Sequence, residues 1–329
     1  MKVVHPYKPP VPFRNGHLNT IFPTLFRKVQ EVTYDRERIT TPDGDFLDID
    51  WSRNGSSRLA LVIHGLEGDS RRAYVKGMVR VLNRSGWDVA ALNLRGCSGE
   101  PNRKVRFYHS GATEDVETVV EHLVEEPYTE LSLIGFSLGG NLVLKYLGER
   151  GESAPRTISG AVAISVPLDL LGCADELERP GNFVYRWRFL SHLWQKVRTK
   201  AAMHPGEIDT EAFRRIRTLR DFDDYYTAPI HGFDGANDYY RRCSSKAVLP
   251  DIARPTLILN AQDDPFLSAT CYPVDIARRH PLIELITPRF GGHVGFVQRD
   301  GRGHYWSEEI AALFLSRITE QKAAQTFTG

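Results

Sequence analysis

Leu131-Ser132-Leu133-Ile134-Gly135-Phe136-Ser137-Leu138-Gly139-Gly140-Asn141-Leu142-Val143-Leu144 begins as a strand-sized apolar run and continues as a helix-forming one, with Gly135-Phe136-Ser137-Leu138-Gly139 at the join. This is the G-x-S-x-G spacing at a strand-to-helix turn. A serine at the apex of so sharp a turn projects its hydroxyl past the end of the strand, and the flanking glycines let strand and helix approach without a Cβ clash. Taken alone, the pentapeptide also fits a chance match or a glycine-rich helix start that binds an anion, so its reading gains from what surrounds it.

Outward from this turn, buried-type strand patterns at 87–94, 131–136, 160–166, 256–260 and 283–286 alternate with helical patterns at 73–84, 113–124 and 138–150. Such alternation predicts parallel βαβ units with helices on both faces of a sheet. Upstream, β-rich runs at 31–39, 46–51 and 59–64, the second following the turn signal Pro42-Asp43-Gly44, predict an antiparallel entry. A closing helix is expected over 307–322, with Ile310, Leu313, Phe314 and Ile318 on one face. Between 168 and 249 the pattern turns irregular, aromatic and basic, far beyond the roughly 2 to 6 residues of an ordinary αβ loop, and reads as an inserted helical cap. Pro6, Pro9, Pro10, Pro12 and Pro23 predict that residues 1–29 form an ordered arm with no regular helix or central strand. The expectation is a single domain over 1–329, with that arm and that cap.

The 329 residues are 41% hydrophobic and 25% charged, which excludes disordered and collagen-like chains. Lys and Arg number 42 against 41 Asp and Glu, a net charge of +1 that gives no global reason to expect nucleic acid or an anionic membrane as partner. Cys97, Cys173, Cys243 and Cys271 form no C-x-x-C pair, and no secretory signal pattern is present, so a cytoplasmic location is expected. No apolar run approaches the roughly 18 to 20 residues of a transmembrane segment. Neither H-E-x-x-H, G-x-x-x-x-G-K-[ST] nor G-x-G-x-x-G occurs, so no metal and no cofactor are expected.

A serine hydroxyl is nearly inert at neutral pH and needs a base and an acid that orients the base. Asp264 follows the strand pattern 256–260, precedes Pro265 and stands three residues after the small Ala261; adjacent Asp263 is its rival. His293, in Gly291-Gly292-His293-Val294-Gly295-Phe296, lies in the loop after the last strand, a position His64, His109 and His304 do not share. The oxyanion of a tetrahedral intermediate needs preorganised donors. The N–H of Leu138 is one, and His64-Gly65-Leu66-Glu67-Gly68 offers the other through Leu66.

With these blocks in order, the chain resembles the α/β-hydrolase superfamily and, within it, the YheT-like esterase branch, also called the AB hydrolase 4 family. The likeness extends over nearly the whole chain. It adds Arg14-Asn15-Gly16-His17 with Thr20-Ile21, Asn93-Leu94-Arg95-Gly96-Cys97-Ser98-Gly99, Tyr108-His109-Ser110-Gly111, Asp238-Tyr239-Tyr240 and Asp263-Asp264-Pro265-Phe266. The resemblance implies an α/β-hydrolase fold with a mostly parallel eight-stranded sheet, a Ser, Asp, His triad, and hydrolysis of carboxylic esters. Some relatives act on medium-chain acyl esters or phospholipids and carry membrane anchors; with no such span in this sequence, action in solution or transient lipid contact is expected.

The expected function is therefore a serine carboxylesterase acting on a small-molecule or lipid ester. The alternatives are an alcohol O-acyltransferase using the same acyl-enzyme, and a non-catalytic binding protein of the same fold. Arg95 and His109 read as structural, and Cys97 as a buried thiol. His17 either touches the pocket or anchors the arm. Trp187, Phe189, Leu190, Leu193 and Trp194 line an acyl channel or form the cap's own core, while Arg186, Arg188, Lys196, Arg198 and Lys200 read as a solvated basic face or as contacts to lipid head groups.

Overall fold

The computed structural model describes residues 6–298 and 303–326. Strands β1 (Asp35–Thr40), β2 (Phe46–Ser52), β3 (Arg58–Ile63), β4 (Asp88–Asn93), β5 (Glu130–Phe136), β6 (Ile158–Ile164), β7 (Thr256–Leu259) and β8 (Ile283–Ile286) form one sheet in the order β1-β2-β4-β3-β5-β6-β7-β8. β1 pairs antiparallel with β2, and β2 with β4; the remaining pairs are parallel.

The two-residue period of a strand explains why the central strands read as continuous apolar runs. Leu59, Leu61 and Ile63 of β3 face one core layer, and Ala60 and Val62 face the other. Helices α2 (Ala73–Arg84) and α11 (Trp306–Thr326) cover the second layer, while α3 (Thr113–Glu125) and α4 (Leu138–Arg150) cover the first. In α11, Ile310, Phe314 and Ile318 are buried with Ala311 and Leu315, whereas Leu313 is 42% exposed. The buried stripe thus lies on the Ala311–Leu315 side of Ile310, and Leu313 falls outside it.

The arm departs from expectation. Its first five residues lie outside the described residues, but Gly16–Phe26 is a helix, α1, with Pro23 inside it. The Asn15 side chain accepts from Leu18 N at 3.0 Å and caps it. Four of the five prolines precede the helix, and only the bond from residue 23 to Asn19 O is forfeited. Tertiary bonds offset that loss: Asn19 Nδ2 donates to Phe13 O (3.0 Å) and to the Tyr7 hydroxyl (3.1 Å), and Asn19 Oδ1 accepts from Val297 N (3.1 Å).

Between β6 and β7 the chain forms α5 (Leu170–Glu178), α6 (Phe183–Met203), α7 (Leu219–Phe222), α8 (Ala228–His231) and α9 (Ala236–Cys243), before α10 (Val274–Arg279) precedes β8. This segment has its own small core, in which Leu193, Val197, Ile216, Phe222 and Tyr226 meet Phe107. Among the described residues, no helix is long and apolar enough to cross a membrane.

Arg95, buried after β4, donates to Asp115 (2.8 Å), Asp43 (2.9 Å) and Asp45 (3.2 Å), tying the β1–β2 turn to the start of α3. Against the opposing effect of burial, hydrogen bonds from Thr41 and Arg95 and the Arg95 charge hold the Asp43 carboxyl down at about 2, while burial of Asp115 pushes that carboxyl up.

Candidate active site

Because β3, β5, β7 and β8 run parallel, the loops at their carboxyl ends open on the same edge of the sheet. Ser137 follows β5 with φ +51° and ψ −120°, a strained backbone that aims its side chain off the edge. A Cβ at Gly135 would lie 2.3 Å from Gly139 O, and one at Gly139 would lie 2.4 Å from Ile63 O. Only glycine lets β3, β5 and α4 meet this closely.

Ser137 Oγ is 2.9 Å from His293 Nε2, and His293 Nδ1 is 2.8 Å from Asp264 Oδ2 and 3.1 Å from Oδ1. An ionised carboxylate only accepts, so Nδ1 carries the proton and Nε2 is free to accept from the serine. Phe266 N donates to Asp264 Oδ1 at 2.9 Å and fixes the carboxylate. Asp263 points elsewhere: its Oδ1 accepts from Gly292 N at 2.8 Å and holds the backbone beside His293.

The loop bearing His293 has left-handed backbone at Gly292, Val294 and Phe296, and it rests on α1. A Cβ at Gly292 would lie 2.4 Å from Gly16 O. Thr20 Oγ1 donates to Gly16 O (2.7 Å) and accepts from His293 N (2.8 Å), while Ser165 Oγ accepts from Val294 N (2.9 Å). Thr20→Val leaves the His293 N–H without that acceptor. Turnover of an ester by this variant is expected to fall roughly tenfold, with the melting temperature lowered by only a few degrees in a thermal scan. A variant with wild-type turnover would separate the α1 contact from the placement of His293.

The turn after β3 passes directly beside the serine: a Cβ at Gly65 would lie 3.0 Å from Ser137 Cβ. His64 is fully buried, with Nδ1 2.7 Å from Gly65 O and Nε2 accepting from Leu94 N at 3.1 Å. Gly65 N donates to the Tyr74 hydroxyl (3.0 Å). Glu67, at φ +50°, donates its N–H to the Tyr108 hydroxyl (2.7 Å), and its carboxylate accepts from that hydroxyl (2.7 Å) and from Lys196 Nζ (2.8 Å). Leu66 is thereby held between two anchored residues.

Burial pushes the His64 imidazole down to about 4. An unfolded imidazole titrates near 6.5, so between these values the unfolded chain binds the extra proton and stability falls as pH falls. The stability is complete above about pH 6.5; His64 alone removes about 2 kcal/mol by pH 5 and about 3 kcal/mol by pH 4. Burial drives His109 and His231 in the same direction. Burial raises the Asp223 carboxyl to about 6, so its protonation below pH 6 offsets part of that loss. Urea unfolding is expected to read a net loss from pH 7.5 to pH 5 smaller than the histidines alone would give, and greater stability at pH 5 would refute it.

Above Ser137 lies a mainly apolar cavity of about 130 Å³, lined by Leu66, Leu138 and His293 together with Leu170, Ala174 and Leu177 from α5 and Phe189 and Leu193 from α6. The aromatic stretch of α6 therefore divides. Phe189 and Leu193 face the cavity, Trp194 stacks on Phe213 with centroids 4.2 Å apart, and Trp187 is 70% exposed.

Residues 61–300 match the profile of the family described as alpha/beta hydrolase fold. The chain belongs to this family. Among curated relatives of this α/β-hydrolase, YheT of Escherichia coli strain K12 is 39% identical over 293 residues, covering 87% of this chain and 85% of YheT. Phospholipase ABHD3 of Mus musculus is 30% identical over 90% of this chain and 74% of its own, and the monoacylglycerol lipase of Saccharomyces cerevisiae is 28% identical over 92% and 78%. Of solved structures, the esterase Pf2001 of Pyrococcus furiosus superposes with a TM-score of 0.57 at 18% identity, covering 88% of this chain and 98% of that one, which speaks to the fold.

The structure of this α/β-hydrolase brings Ser137, Asp264, His293, Leu66 and Leu138 to one place and leaves Asp263, His64 and His304 outside the hydrogen-bonded chain. His17 anchors the arm: it stacks on Tyr185 and shares a 3.1 Å hydrogen bond with its hydroxyl. His109 lines the cavity, 4.5 Å between ring centroids from His231. Cys97 is partly exposed, with burial pushing its thiol up to about 12 and Lys196 Nζ 3.4 Å away.

Two basic residues of α6 are not a solvated face. Lys196 pairs with Glu67, and Lys200 is buried with its ammonium donating to Asn102 O and Lys104 O, burial pushing it down to about 8. The periodicity of α6 did not mark them, because a lysine with a buried partner across the chain looks like any other lysine. The role of Thr20 was likewise invisible, although it stands in one of the family-like blocks.

Proposed function

We propose that this α/β-hydrolase is a serine carboxylic ester hydrolase, with Ser137 as nucleophile, His293 as general base and acid, Asp264 as the orienting acid, and the N–H groups of Leu66 and Leu138 as oxyanion donors. The observation that carries this reading is the unbroken chain of hydrogen bonds from Ser137 Oγ through His293 to Asp264 beneath an apolar cavity. The esterase- and lipase-type relatives support the same reaction class.

Ser137 Oγ attacks the ester carbonyl while His293 Nε2 takes its proton, and the negative charge gathering on the carbonyl oxygen meets the Leu66 and Leu138 N–H groups. His293 then gives the proton to the leaving alcohol, which departs as the acyl-enzyme forms. Water, deprotonated by the same imidazole, attacks the acyl carbon; Ser137 leaves with its proton restored, and the acid is released. Asp264 keeps the imidazole in the required tautomer and stabilises its charged form.

The segment from α5 to α9 acts as the cap that sizes the acyl chain. A cavity of about 130 Å³ resembles the roughly 150 Å³ space that accommodates benzene, so short acyl chains of about six carbons fit it. Ala174→Phe, which fills the wall, is expected to lower kcat/KM for a hexanoate ester more than about tenfold with acetate nearly unchanged. Equal losses for both would reject this wall as the acyl site. The test of the reaction class is fluorophosphonate labelling mapped by mass spectrometry: one adduct at Ser137 in the wild type and none in Ser137→Ala supports it, and no adduct in folded wild-type protein overturns it.

A further inference from the structure

Cys173 and Cys271 are 98 residues apart in the chain, yet their Sγ atoms lie 3.3 Å apart. Cys173 stands in the first turns of α5 in the inserted segment; Cys271 stands in the turn after β7, seven residues beyond Asp264. Both are buried and free, and Cys173 also lines the cavity above Ser137.

The approach is built into both supports. A Cβ at Gly172 would lie 2.5 Å from Ser268 Oγ, so α5 packs directly on the 268–271 turn, and glycine makes room for it. On the α5 side, Asp169 Oδ1 caps Gly172 N (3.3 Å) and Leu170 N donates to Ser244 Oγ (3.0 Å). On the core side, Cys271 N donates to Ser268 O (3.0 Å) and Cys271 O accepts from Asn260 Nδ2 (2.9 Å). A disulfide needs its sulfurs about 2.05 Å apart, so a closure of about 1.2 Å is required, within the reach of small χ1 rotations. Cys97 and Cys243 have no such neighbour: Cys97 Sγ is next to Lys196, and Cys243 Sγ is 3.9 Å from His109 Nδ1.

We propose that Cys173 and Cys271 are a modification site, a dithiol that a hydroperoxide entering the cavity converts reversibly to a disulfide. The Cys173 sulfur attacks the terminal peroxide oxygen; an S–O bond forms, the O–O bond breaks, and water or an alcohol leaves with the thiol proton. The Cys271 sulfur then attacks the sulfenic sulfur, forming S–S and expelling the oxygen as water with the second thiol's proton. The two thiols supply two electrons and the hydroperoxide accepts them. Cys173, which lines the cavity, meets the oxidant first, and Cys271, with its sulfur 3.3 Å away, is placed to resolve the sulfenic acid.

The bridge ties α5, and with it the cavity wall of Leu170, Ala174 and Leu177, to the loop after β7 that carries Asp264. It goes beyond the reaction proposed above and requires none of its chemistry.

The test treats the reduced full chain with hydrogen peroxide or cumene hydroperoxide, alkylates the remaining thiols and maps the peptides by mass. A cross-linked pair containing Cys173 and Cys271, reversed by dithiothreitol, is expected, with a rise in melting temperature of the order of 5 °C from closing so long a loop. Ser137→Ala should form the bridge equally, so failure of the esterase reading leaves this outcome readable. In Cys271→Ser, Cys173 should stop at a sulfenic acid that dimedone traps; should that variant fail to fold, the wild-type map decides alone. Both thiols remaining alkylatable after either oxidant, or a bridge joining other cysteines or two chains, overturns the proposal.

Discussion

Ser137→Ala is expected to lower kcat/KM for the best ester by at least about 10⁴-fold while leaving the melting temperature within a few degrees of wild type. The size follows from the loss of the covalent route: without Oγ, His293 can activate only a water that nothing holds in place, and the oxyanion donors keep a modest residual rate. The small effect on stability follows from the site itself. The hydroxyl hydrogen-bonds to the His293 imidazole, while the turn is held by main-chain bonds from Ser137 N to Ile164 O (2.8 Å) and from Asn141 N to Ser137 O (3.0 Å). A variant that retains hydrolysis would move the nucleophile elsewhere, and one that hydrolyses nothing because it is unfolded would show itself in the thermal scan.

The second large effect separates two adjacent carboxylates. Asp264→Asn is expected to cost about 10⁴-fold in kcat, because an amide placed at 2.8 Å from His293 Nδ1 can donate to it and so favours the tautomer that cannot accept the serine proton. Asp263→Asn keeps an acceptor oxygen for Gly292 N and is expected to cost less than about tenfold. The measurement is kcat against pH for both variants beside wild type. Asp264→Asn should regain rate at high pH, where hydroxide activates the serine without the imidazole, and Asp263→Asn should follow the wild-type profile. Comparable losses in the two would assign the orienting role to the pair instead of to Asp264.

Much of the architecture was legible because it rests on local chemistry. Helices α2 and α4 occupy Ala73–Arg84 and Leu138–Arg150, the spans their periodicity predicts, and the strands lie within a few residues of their apolar runs. The first strand starts later than expected, at Asp35, because Glu31 turns the chain with φ +69°. The arm was misread for a physical reason: proline statistics describe an isolated helix, whereas α1 is held from outside by Asn19, Thr20 and the His293 loop. Leu313 was misplaced by the same kind of limit, since an apolar residue's periodicity does not say which of two overlapping stripes the sheet will cover.

The candidate site divides along the same line. The sequence by itself determined the serine turn, since only glycine at 135 and 139 allows the approach of β3, β5 and α4 around a strained residue. It also determined the chain order in which an acid and a histidine follow, because each closes a parallel strand at the same edge of the sheet. The spacing favoured Asp264, but tertiary structure alone set its carboxylate against His293 Nδ1 and that of Asp263 against Gly292 N, drew Thr20 from the far end of the chain to the His293 backbone, buried Lys196 against Glu67, and set two distant thiols in contact. Each of these depends on the direction and distance of partners hundreds or tens of residues away, and neither a residue's type nor its spacing to its neighbours carries that information.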